Sequence, residues 1–112
     1  MVFKFEKVMI SLQIDLQDGF KNDSVQVNVN NEEVFREEQI TTDLRCLLAK
    51  QFKISVAGGV ARIKVNIPMQ NLVAYKSFMV DSETYLGISI EEPGTQNRKI
   101  KFRVLEEPFS YF

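Results

Sequence analysis

The chain contains no histidine, no tryptophan and a single cysteine, Cys46. The first absence removes Ser-His-Asp and Cys-His catalysis within one chain, histidine-ligated zinc or haem, and a histidine pH switch. The second removes the indole platform used by many sugar-binding modules and leaves tyrosine for that role. The third removes any intramolecular disulfide, which fits a reducing compartment. An excess of one charge is missing too, since fourteen basic residues face fifteen acidic ones for a formal net charge of −1. That balance supplies no whole-molecule attraction to nucleic acid or to an anionic membrane. No run approaches the ~18 apolar residues of a membrane span. Lys4, Glu6 and Lys7 break the N-terminal "MVFKFEKVMISL" before it becomes a signal peptide. The expectation is a soluble, cytoplasmic protein with no cofactor, no nucleic acid and no membrane among its partners.

What is present is alternation with a period of two. A chain of 112 residues with 45% apolar content fits one domain, 1–112, with a real core. Val8, Ile10, Leu12, Ile14 and Leu16 share one face of a half-buried strand. Phe3 and Phe5 fall on the opposite parity, which predicts a bend near Glu6–Lys7. Val25, Val27 and Val29 open the next strand, and "VNVNNEEVFREE" turns it at Asn30–Asn31, a pair suited to a type I′ corner. In that register Val34 shares the valine face and Phe35 points to the other side. Residues 38–50 read as a crossover loop with one helical turn, capped by Thr42 or Asp43. Phe52, Ile54 and Val56 alternate, Gly58–Gly59 reads as a hairpin turn, and Ala61, Ile63, Val65 and Ile67 alternate again until Pro68. "NLVAYKSFMV" is apolar on both parities, which predicts a central or bulged strand. Leu86, Ile88 and Ile90 form another strand, and Ile100, Phe102 and Val104 the last.

These segments predict an all-β, antiparallel sandwich of about seven or eight strands. No helix is long enough for a parallel crossover. In architecture the pattern resembles small transthyretin-like or immunoglobulin-like accessory modules, without a motif specific to either. The Cys…Trp…Cys set of antibody-type domains is absent.

Each candidate for chemistry has a plainer role beside it. Glu32, Glu33, Glu37 and Glu38 flank the hairpin in adjacent pairs, so no single face gathers all four. An exposed hairpin end also gives no desolvation to raise a carboxyl pKa for acid–base work. Asp15, Asp18, Asp23, Asp43 and the "DSE" at 81–83 offer oxygen to a hard cation, but their spacing matches no calcium loop, and Asp is a standard turn residue. Calcium is therefore not expected. Cys46 has no histidine base and reads as a small buried residue. Lys99, Lys101 and Arg103 form an outward stripe on the last strand, read as the wet face of an edge rather than a phosphate track.

The aromatics off the apolar parity remain. Phe35, Phe109, Tyr111 and Phe112 are candidates for a partner surface, and Tyr75 and Tyr85 for a ligand platform. The tail "EEPFSYF" is expected to be ordered, with Phe109 as its anchor, either on its own domain or in a neighbour. The leading functional expectation is a non-catalytic module that holds a protein partner or self-associates through an aromatic patch or a sheet edge. The alternative is a small-ligand or carbohydrate binder built on exposed tyrosines and loop carboxylates. An enzyme is not expected, because no nucleophile–base pair can be assembled.

Overall fold

The computed structural model describes residues 8–111, so the bend expected between Phe5 and Val8 and the position of Phe112 lie outside the described residues. Eight strands follow one another: β1 (Met9–Leu16), β2 (Asp23–Val29), β3 (Glu32–Ile40), β4 (Lys50–Ala57), β5 (Gly59–Ile67), β6 (Leu72–Val80), β7 (Thr84–Glu91) and β8 (Lys99–Leu105). They form two four-stranded sheets in the orders β4-β1-β7-β8 and β3-β2-β5-β6. The protein is a β-sandwich. Its resemblance to immunoglobulin modules stops at that architecture, because in constant-type domains the first strand neighbours the second, whereas β1 lies between β4 and β7.

Alternation explains the core. Leu12, Ile14 and Leu16 of β1 and Leu86, Ile88 and Ile90 of β7 face Val25, Val27 and Val29 of β2 and Ala61, Ile63, Val65 and Ile67 of β5, all buried. Each large side chain removed from water contributes about 1.5–3 kcal/mol. Among the described residues no helix is long and apolar enough to cross a membrane.

Connectivity departs from expectation in two places. β1 and β7 run parallel, Leu12 opposite Thr84 through Leu16 opposite Ile88. Parallel neighbours need a crossover, and here the whole second sheet supplies it instead of a helix. Gly58–Gly59 is not a hairpin turn, because β4 pairs with β1 while β5 pairs with β2 and β6. The chain crosses there from one sheet to the other.

Two loops are closely specified. In the β1–β2 loop the N–H groups of Gly19, Phe20, Lys21 and Asn22 donate in turn to side-chain oxygens of Asp18, Thr42, Asp23 and Thr41. Gly19 has φ +93°, and a Cβ there would overlap the Ile90 carbonyl, so only glycine fits. In the crossover, Cys46 and Leu47 N–H both donate to the Asp43 carbonyl, giving the expected single helical turn. Asp43 caps it, its carboxylate accepting from the Arg45 backbone N–H and guanidinium, which hold that carboxyl down to about 2. The turn does not bury its leucines: Leu44 is 81% exposed.

Candidate interaction surfaces

The tail carries three of the candidate aromatics, Phe109, Tyr111 and Phe112. After β8 it folds back over the outer face of the β4-β1-β7-β8 sheet. Tyr111 donates its hydroxyl to Asp15 Oδ2 at 2.5 Å and accepts from Gln17 Nε2 at 2.9 Å. Asp15 is 1% exposed, and Gln13 and Gln51 donate to its two oxygens at 3.1 and 3.3 Å. A buried carboxylate costs several kcal/mol unless its lone pairs are satisfied, and three donors meet that need here. Burial, then the bond to Asp15, pushes the Tyr111 phenol well above its ordinary value. Gly87 makes room, since a Cβ there would collide with the Gln17 amide lying across β7. Phe109 packs under the Arg103 guanidinium at 5.4 Å. The tail is ordered and intramolecular, held by Tyr111 as well as by the expected anchor Phe109.

Phe35 is a correction. A bulge between Val27 and Asn28 shifts the β2–β3 register, so Phe35 and not Val34 faces Val27. An extra residue reverses every parity beyond it. Phe35 therefore turns toward the core and stacks on Phe52 of β4, centroids 4.5 Å apart and 8° from parallel. It closes the β3/β4 side of the sandwich and does not join the tail aromatics. The corner itself is as expected, with Asn30 and Asn31 at φ 50° and 69° and Val29 opposite Glu32.

The ligand-platform tyrosines do not converge. Tyr75 lies on the outer face of β6 and Tyr85 on the outer face of β7, in different sheets. A cleft of ≈ 610 Å³ opens at the loop end between Phe20, Leu44 and Pro93, and no tyrosine lines it. The carboxylates are likewise dispersed: Asp18 and Asp23 cap backbone N–H groups, Asp43 holds Arg45, and Asp15 lies under the tail. Among the described residues no three potential ligands of a metal ion gather. The β8 stripe meets a single carboxylate. Glu91 lies 3.3 Å from both Lys99 and Lys101, which hold its carboxyl below the usual range, and Arg103 covers Phe109.

One region reads differently in sequence and in structure. The segment apolar on both parities is neither central nor bulged. It is β6, the edge of the β3-β2-β5-β6 sheet, paired with β5 in unbroken register from Gly59–Val80 to Ile67–Leu72. Its inner parity meets the core through Phe78 and Val80. Its outer parity lies in water, with Val73 52%, Tyr75 71% and Met79 61% exposed, and Val60 of β5 beside Met79. Lys64 sits 6.0 Å from the Tyr75 ring. Lys76, opposite buried Ile63, is the sole charge on the strand and is itself exposed. Alternation alone misses this surface, because a strand apolar on both faces carries the same signature at an edge as at the centre.

Compared with known protein families and curated proteins, the chain matches no family model and no curated protein.

Proposed function

We propose that this chain is a non-catalytic interaction module that holds an extended segment of a protein partner along the free edge of β6. One observation carries the reading: a nine-residue strand in unbroken register with β5 presents an outer row of Val73, Tyr75 and Met79 beside an edge unpaired among the described residues. An added strand gains main-chain hydrogen bonds from such an edge and side-chain contacts from alternate residues. Edges that need no partner are blunted by bulges, proline or charges; β6 has one such feature, Lys76, and neither a bulge nor a proline. The aromatics first considered for this role support other structure instead. Phe35 packs on Phe52, and Phe109 and Tyr111 hold the tail. A cytoplasmic location belongs to the same proposal and rests on the single cysteine.

A selection from a library of random ten-residue peptides tests it. Selected peptides are expected to shift the amide resonances of β6 and to lose binding to the Tyr75→Ser/Met79→Ser variant. Binders that shift the tail-covered face or the loop end instead, and that keep their affinity for the variant, would contradict it.

A further inference from the structure

The charge of the β5–β6 hairpin names the partner's chemistry, an inference that rests on the edge reading above. From Gly59 to Val80 the chain holds Arg62, Lys64 and Lys76 and not one aspartate or glutamate. Arg62 and Lys64 stand on the outer face, opposite Ser77 and Tyr75. Lys76 stands on the inner parity at the rim. None of the three makes an ion pair among the described residues, whose pairs all lie on β3, β4, β7, β8 and the crossover. The molecule's net charge of −1 hides this local excess of +3.

A lysine at the centre of an open edge has two consequences. It repels an identical strand placed in register across a two-fold centred on it, since Lys76 would meet Lys76. It attracts a strand that brings a carboxylate to the same position. The neighbouring inner positions, Ala74 and Phe78, are apolar, as are the half-buried Ile100, Phe102 and Val104 across the sandwich rim on β8. The outer positions Val73, Tyr75 and Met79 are apolar too. Charge complementarity sets the choice and rate of partners, while apolar contact and main-chain pairing supply the hold.

We infer that the β6 edge takes an extended acidic segment of another protein, in which a central carboxylate is flanked by apolar side chains on both parities. A carboxylate meets Lys76, the Arg62–Lys64 face steers the approach, and the apolar residues lie along Val73, Tyr75 and Met79.

The probes are three nine-residue peptides: valines with Glu at the centre and at both ends, the same peptide with Lys in place of Glu, and the acidic peptide N-methylated at alternate residues to remove its pairing N–H groups. Fluorescence anisotropy with each is read at low and at physiological salt, on the full chain and on Lys76→Glu. The acidic peptide is expected to bind at least about tenfold more tightly than the basic one at low salt, with the gap narrowing as salt is added. Lys76→Glu reverses the preference, and N-methylation abolishes binding. Equal binding of acidic and basic peptides overturns the acidic-partner inference and leaves the edge reading intact. Failure of every peptide, or undiminished binding of the N-methylated one, overturns the edge reading and the inference with it.

Discussion

The two free edges of the β3-β2-β5-β6 sheet are opposites. At β3 the register shifts twice, Gln39 has a positive φ of 59°, and Glu32 and Glu37 occupy the inner parity opposite Val29 and Val25. Arg36 pairs with Glu33 on the outer side, and Lys50 reaches Glu37 at 3.4 Å. The aromatic residue of that strand, Phe35, is folded in against Phe52. Bulges and inward charges are the standard means of keeping an edge unpaired. At β6 the register never shifts, acids are absent and one of the two aromatic residues, Tyr75, faces water. Both edges belong to one sheet and meet the same solvent, and the proposed function rests on their difference: β3 carries bulges and several charges, whereas β6 carries the single charge Lys76.

Substitutions that exchange the roles of the two aromatics test this contrast most strongly. Phe35→Ala removes a stacked ring from the β3/β4 side and is expected to cost about 2–3 kcal/mol in urea unfolding, below the ~3–5 kcal/mol of a fully buried phenylalanine. A cost under ~0.5 kcal/mol would mean that Phe35 is as free as Tyr75, and the contrast would fail.

The tail gives the next largest effect. Tyr111→Phe keeps the ring and deletes one donor to a carboxylate that is 1% exposed. The expected loss is about 1–2 kcal/mol, at the lower end for a hydrogen bond to a charged group because Tyr111 is only partly buried. The same bond produces a pH dependence. The native phenol ionises above its ordinary value of 10.0, so above that pH the unfolded chain releases a proton that the native chain keeps. Unfolding then becomes easier as pH rises through the alkaline range. The difference in stability between the wild type and Tyr111→Phe should therefore shrink from neutral pH to pH ~11, and a constant difference would show that the phenol is not held. Truncation after Glu107 should lower stability and leave the chain's mass in solution unchanged, as an intramolecular tail requires.

The smallest expected change is at β6. Tyr75→Ala leaves a residue already 71% exposed in the free protein and should alter stability by no more than ~0.5 kcal/mol. A cost above ~1.5 kcal/mol would make Tyr75 a folding residue and withdraw the main reason to look for a partner there.

Much of this was legible in the sequence, and the gaps have physical causes. Alternation located the strands and their buried faces, and the Asn30–Asn31 corner and an ordered tail were readable from turn chemistry and aromatic content, but not where the tail docks. Period two says which side chains share a face but not which strand lies alongside, so the parallel β1–β7 pair and the crossing at Gly58–Gly59 went unseen. A single bulge inverted Phe35, because parity carries no warning of an inserted residue. The Asp15–Tyr111 contact spans 96 positions, and no local pattern connects its ends. The β6 edge was visible as an oddity, a strand apolar on both sides, yet its place in the sheet required the structure.

The most direct measurement is amide hydrogen exchange along β6, compared with β3, in the free chain and with the acidic peptide present. In the free chain alternate β6 amides, those pointing away from β5, should exchange fast. With peptide they should slow at least about tenfold, while β3 amides stay unchanged. Protection that appears equally on β3, or that spares β6 altogether, would contradict an open edge built for a partner.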